Sequence, residues 1–158
     1  MRRASGSASP REGRTGDTLF LGEHHHSLDA KGRVIFPVRI REELGAQVVL
    51  QKGIERCLYV YPPQEWEKRV EAVRSLPSTN PRARRYARFF FSQASSEQLD
   101  RQGRLTIPQQ FREYAGLERE VVIVGNGAHV EVWDRRTWES ARSETEEGID
   151  ETTEELGI

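Results

Sequence analysis

Ten residues occur almost twice over. Leu28-Asp29-Ala30-Lys31-Gly32-Arg33-Val34-Ile35-Phe36-Pro37 returns 71 residues later as Leu99-Asp100-Arg101-Gln102-Gly103-Arg104-Leu105-Thr106-Ile107-Pro108, with Leu, Asp, Gly, Arg and Pro at matching offsets. The likeness runs on. Ile40-Arg41-Glu42 answers to Phe111-Arg112-Glu113, Gly45 to Gly116, Val48-Val49-Leu50 to Val121-Val122-Ile123 and Trp66 to Trp138, the offset drifting only between 71 and 73. Self-similarity of this kind marks an internal duplication of a unit of about 45 residues. Two copies of one supersecondary unit therefore make up most of the chain.

Each copy reads as strand, turn, strand, short helix, strand, strand. A first strand over 19–27 enters the turn at Asp29, where a carboxylate can accept backbone N–H groups and Gly32 supplies the positive φ that closes it. A second strand, 33–36, leaves it, and Pro37 opens a helix to Leu44, closed by Gly45. Short strands at 48–51 and 56–61 follow, joined across Lys52-Gly53. Pro62-Pro63 starts a helix to about Leu76, and Asn80-Pro81 caps another to about Phe91. The second copy runs from Ser92 in the same order. It ends in strands at 121–124 and 129–133 about a Gly125-Asn126-Gly127 turn, then a helix capped by Asp134. Three adjacent phenylalanines, Phe89 to Phe91, cannot share one helical stripe, so one ring is expected to meet the other repeat or another subunit. The division expected is a disordered extension over 1–18, a first repeat at 22–66, a helical connector at 67–92, a second repeat at 93–138 and a helix end with an acidic tail at 139–158.

Composition narrows the function. Of 158 residues, 35% are hydrophobic and 31% charged, a lean core that suggests burial against copies of the same chain. No stretch approaches the roughly 20 apolar residues that cross a bilayer, and the basic N-terminus has no apolar run behind it, so neither a membrane partner nor a classical export signal is expected. The lone cysteine, Cys57, excludes an intramolecular disulfide and, from its flanks Ile54 and Leu58-Tyr59-Val60, reads as a strand residue. The net charge of −1 conceals an asymmetry: Glu139 to Ile158 carries eight acidic residues and one basic one, leaving 23 Lys+Arg against 17 Asp+Glu in the body. A basic body suits a polyanionic partner. The tail reads as a solvated, partly disordered end or, alternatively, an acidic interaction arm.

Signatures of enzymes are missing: no phosphate-binding Gly-Lys-Ser/Thr loop, no His-Glu-x-x-His, no Gly-x-Ser-x-Gly and no spaced cysteine pair. No cofactor is implied. His24 and His26 share a strand face, and with His129 they are the basis of a weak metal-enzyme reading. The repeated arginines are more informative. Arg33 and Arg104 each follow a turn glycine, with Lys31 and Arg101 in the same turns, so one chain carries two basic hairpin tips. Such tips suit phosphate contacts and bidentate recognition of guanine. Equally, Arg33 can clamp Asp29, and Arg104 Asp100, at i,i+4 across the turn. Arg82, Arg84, Arg85 and Arg88 form a further basic cluster.

The doubled Asp-x-x-Gly-Arg with its Pro-led helix, Phe20-Leu21-Gly22-Glu23 before the first copy and Ala87-Arg88-Phe89-Phe90-Phe91-Ser92 before the second, resembles the MraZ family of bacterial transcriptional regulators over about 20–142. The resemblance implies an α+β, mainly β fold with short helices, in which two AbrB-like swapped-hairpin repeats form an intrachain pseudo-dimer. It implies double-stranded DNA as partner, read as direct repeats in the promoter of the protein's own division and cell-wall operon, usually for repression. It further implies a cytoplasmic, nucleoid-associated ring homo-oligomer, an octamer or dodecamer. By the same resemblance Lys31, Arg33, Arg101 and Arg104 would bind DNA while Asp29, Gly32, Asp100 and Gly103 shape the tips. The rival from another class is an antitoxin-type AbrB-like module holding a protein partner.

Overall fold

The computed structural model describes residues 19–158. The expected disorder of residues 1–18 lies outside the described residues. The first copy contributes β1 (Glu23–Ser27), β2 (Arg33–Ile35), α1 (Val38–Leu44), β3 (Gln47–Lys52), β4 (Leu58–Tyr61), α2 (Pro63–Arg74) and α3 (Pro81–Ser92). The second repeats that order as β5 (Ala94–Gln98), β6 (Arg104–Thr106), α4 (Gln109–Ala115), β7 (Glu120–Asn126), β8 (His129–Asp134), α5 (Arg135–Glu147) and α6 (Ile149–Leu156). The fold is thus mixed α+β. Local chemistry sets its helix starts: Pro37 and Pro108 precede α1 and α4 with φ of −55° and −58°. Asn80 accepts the Arg82 N–H at 2.9 Å ahead of Pro81, and Asp134 accepts that of Arg136 at 3.3 Å.

Strand pairing crosses between the copies. The larger sheet has the order β1-β7-β8-β4-β3-β5, and a separate ribbon pairs β2 with β6. The strands flanking each Asp-Gly turn therefore do not pair with each other: β1 lies on β7, β5 on β3, and β2 on β6, all antiparallel. Read from either end, the strand order is the same once equivalents are exchanged. A pseudo-two-fold axis thus passes between β4 and β8 at the Tyr59–Glu131 pair, and between Val34 and Leu105 in the ribbon. Both ribbon residues are fully buried, in one cluster that joins Phe36, Ile40, Leu50 and Val60 to Ile107, Phe111, Val121 and Val132. A three-residue strand cannot stand by itself. Burying each such aliphatic or aromatic side chain is worth about 1.5–3 kcal/mol, and here each copy supplies the surface that the other buries.

Several local expectations shift. The first strand begins at Glu23 rather than Leu19. Phe20 instead bridges Gly127 separately, its N–H reaching the Gly127 carbonyl at 2.8 Å. The turn between β7 and β8 is not Gly125-Asn126-Gly127 but Gly127-Ala128, because Asn126 pairs with His129. Only Gly127 there has positive φ, +71°, the type II′ pattern. Gly125 lies within β7, where a Cβ would sit 2.6 Å from the Leu21 carbonyl carbon, so it serves the close crossing of the chain before β1. Cys57 is buried but precedes β4 in the loop from Gly53, rather than lying in a strand. Of the three phenylalanines Phe90 is the buried one, and it stacks on Trp66, centroids 5.0 Å apart and planes 6° from parallel. The acidic tail does not fray. It is helical through α5 and α6, with Asp150 and Glu151 in the first turn of α6, where negative charge suits the helix dipole.

Candidate nucleic-acid interface

The two tips are built alike. Asp29 Oδ1 accepts the backbone N–H groups of Lys31 and Arg33, each at 2.9 Å, while Oδ2 takes the Arg33 Nε–H at 2.7 Å. Asp100 repeats this with Gln102, Arg104 and the Arg104 Nε–H at 2.9, 2.9 and 2.7 Å. Gly32 and Gly103 close the turns at φ +77° and +79°, which a side chain rarely adopts. The backbone N–H of Arg33, with lesser help from its guanidinium and from Lys31, holds the Asp29 carboxyl down at about 2 against its tendency to rise on burial. The Asp100 carboxyl is lowered in the same way, chiefly by the Arg104 N–H.

The clamp of Asp on Arg is therefore present, and it leaves the arginine fork available. Nε is one of five N–H donors; Nη1 and Nη2 keep the two-pronged end that matches a guanine edge or a phosphate. Alternation along β2 and β6 fixes where those ends lie. With Val34 and Leu105 directed into the core, Arg33, Ile35, Arg104 and Thr106 line the opposite face of the ribbon. Arg33 stands opposite Thr106 and Arg104 opposite Ile35, so the two arginines are diagonal neighbours related by the pseudo-two-fold axis. Lys31 and Arg101 are exposed in the turns, at positions that differ by one: Lys31 matches Gln102, and Arg101 matches Ala30.

Two further arginines join this surface from the other copy. Arg41 of α1 reaches tip two, its Nη1–H donating to the Gln102 carbonyl at 2.6 Å. Arg112 of α4 lies over tip one, where a Cβ on Gly32 would come 2.8 Å from Nη1. Tip backbones also cross over: the Phe36 N–H meets the Gly103 carbonyl at 3.0 Å and the Ile107 N–H the Gly32 carbonyl at 2.9 Å. The duplicated Ile40-Arg41-Glu42 and Phe111-Arg112-Glu113 were the available signal for these residues. Their placement against the opposite tip had no signature in the spacing.

The histidines do not come together. His24 and His26 lie on β1 and His129 on β8, with β7 between them, about 10 Å of strand spacing. His129 sits 3.2 Å from Glu131, whose carboxylate also accepts the Trp133 Nε1–H and an Asn126 Nδ2–H, both at 2.8 Å. Burial raises the Glu131 pKa, but these three hydrogen bonds outweigh it and leave it lowered. Among the described residues no three His, Cys, Asp or Glu side chains are grouped so as to hold a metal ion.

The family described as "MraZ protein, putative antitoxin-like" matches the chain twice, over residues 19–89 and 90–156. The chain belongs to the MraZ family. Relatives named "Transcriptional regulator MraZ" are matched over nearly their whole length. The protein of Moorella thermoacetica is 48% identical over 138 residues, 87% of this chain and 96% of its own. That of Kineococcus radiotolerans is 50% identical over the same shares. That of Acetivibrio thermocellus is 47% identical over 143 residues, 89% of this chain and 100% of its own. MraZ proteins are thus named for regulation, not catalysis. The two MraZ matches divide the chain inside α3, between Phe89 and Phe90, so each takes in one copy of the strand–turn–strand unit, and the end of α3 falls to the second.

Proposed function

We propose that this chain is a DNA-binding transcriptional regulator that reads promoter direct repeats with the outer face of the β2–β6 ribbon. The observation that carries this reading is the diagonal pair Arg33 and Arg104, each held by its aspartate through Nε on the ribbon face opposite the buried Val34 and Leu105. A two-stranded ribbon is narrow enough for the major groove, about 12 Å wide, where Arg pairs bidentately with guanine. Lys31, Arg101, Arg41 and Arg112 border the ribbon as phosphate ligands. On this reading the crossed strand pairings form an AbrB-like swapped-hairpin pseudo-dimer. Several subunits in a homo-oligomeric ring, an octamer or dodecamer, engage successive repeats, so that each contact need be only modest. The promoter is that of its own division and cell-wall operon, repressed in the cytoplasm at the nucleoid.

A footprint of the purified protein on the DNA upstream of its own gene tests this. Protection at regularly spaced repeats is expected; uniform protection of any duplex refutes sequence-specific reading. The antitoxin-like description of the family, together with the exposed Tyr86 and Phe89 on α3, favours a second reading as a module that holds a protein partner. No footprint, with a stoichiometric complex formed with the product of an adjacent toxin-like reading frame, would favour that one.

A further inference from the structure

The pseudo-two-fold axis relates α2 to α5, and the helices that follow them in the chain, α3 and α6, are opposite in charge. α2 packs on β3 and α5 on β7 and β8, on either side of the axis. Between α2 and α3 lies a cleft of about 200 Å³, lined by Val73, Leu76, Ala83, Ala87 and Phe91. Ala83, Ala87 and Phe91 recur at helical spacing, so one face of α3 forms the wall. Arg74 and Arg84 line the cleft as well, and Arg88 follows Arg84 at i,i+4 on α3. α3 carries Arg82, Arg84, Arg85 and Arg88 and no acidic residue.

Its counterpart α6 is the reverse. It carries Asp150, Glu151, Glu154 and Glu155 and no basic residue, and none of its residues is buried. Ile149, Thr153 and Leu156 form a stripe at i, i+4 and i+7, yet Ile149 is 43% and Leu156 68% exposed. This is an amphipathic helix whose apolar stripe is left largely uncovered by the described residues.

We propose that α6 of one copy docks in the α2–α3 cleft of the next, apolar stripe inward and acidic flanks against the arginine rim. Charge chooses this arrangement over a symmetric one. Cleft-to-cleft pairing sets arginines against arginines and α6-to-α6 pairing sets carboxylates together, whereas only the head-to-tail contact matches opposite signs. A heterologous contact leaves each copy with one unused helix and one unused cleft, so it propagates until the ring closes. Anchoring an apolar helix face in a groove is a common recognition mode, and the ionic rim makes it salt-sensitive. This inference rests on the ring in the functional reading above and assigns its interface.

Two full-length variants test it, with native mass as the readout. Glu154→Lys with Glu155→Lys places positive charge in the last turn of α6, where the dipole tolerates it; Arg84→Glu with Arg88→Glu reverses the cleft rim. Each variant alone should fall to the mass of a single subunit. Mixed in equal amounts they should reassemble, because the lysine pair in the last turn of one variant's α6 meets the carboxylates placed on the other's cleft rim, and the native helix of the second fits the native cleft of the first. Ile149→Asp with Leu156→Asp, at exposed positions, should dissociate the protein without altering its folded circular dichroism. Variants that keep the wild-type mass, or a mixture that stays dissociated, overturn the proposal. A wild type of single-subunit mass overturns the ring along with it, whereas a wild-type ring indifferent to these changes overturns only the interface.

Discussion

Arg33→Ala separates the two jobs available to this residue. The turn does not depend on its guanidinium: Asp29 Oδ1 holds the backbone N–H groups of Lys31 and residue 33, which alanine retains. The side chain, one-quarter exposed, lies on the face of β2 opposite Val34 and outside the hydrophobic cluster, so truncation opens no cavity in that cluster. The thermal midpoint should therefore stay close to that of the wild type. Binding should not. A lost bidentate guanine contact costs about 1–3 kcal/mol, which is roughly a 5- to 150-fold rise in Kd. The assay is a fluorescence anisotropy titration at fixed salt on a duplex with a single repeat, so that avidity across a ring does not mask the loss. Arg33→Lys gives a second arm: it keeps the charge and loses the planar fork, and should retain nonspecific binding while losing discrimination. Affinity per folded protein unchanged in Arg33→Ala would refute the reasoning, as would a collapse of stability with binding intact, which makes the clamp the main role.

Two other perturbations test the frame beneath the ribbon. Leu105→Ala removes a fully buried side chain opposite Val34 and should destabilise the protein by about 2–5 kcal/mol, lowering the denaturant midpoint at constant slope; a loss under 1 kcal/mol would mean that the ribbon is not seated on the core as described. Because the Asp29 pKa is depressed from 3.8 to about 2 in the folded protein, its contribution to stability is complete above about pH 4 and is lost as pH falls through about 2. Thermal midpoints measured from pH 5 to 2 should drop in the wild type and drop less in Asp29→Asn with Asp100→Asn, and equal slopes would contradict the assignment.

Much of the local structure was legible because it rests on neighbours in sequence. Asp29 and Gly32 make their turn through contacts at i+2 and i+4, and Pro37, Asn80-Pro81 and Asp134 announce their helices through their own backbone chemistry. The errors have the same logic in reverse. Gly125-Asn126-Gly127 looks like a turn, yet Gly125 is needed where another stretch of chain crosses it. The acid-rich tail is solvated as its charge suggests, yet it is helical rather than partly disordered, because its first-turn carboxylates suit a helix. Arg41 and Arg112 were visible as a repeated pair but not as neighbours of the opposite tips, since what they touch lies 61 residues away in one case and across the copies in both.

The sequence by itself determined that there are two copies of one unit, that each copy carries an aspartate-held arginine after a glycine turn, and that the chain belongs with a known family. Those facts are written in residue identity and short-range spacing. Only the tertiary structure decided that β2 leaves its own hairpin to pair with β6, which brings Arg33 and Arg104 onto one outward face. Only it set α2 and α5, which lead into basic α3 and acidic α6, on either side of a pseudo-two-fold axis. Strand partners are chosen by which apolar faces can be buried together, a property of the whole chain that no local pattern encodes.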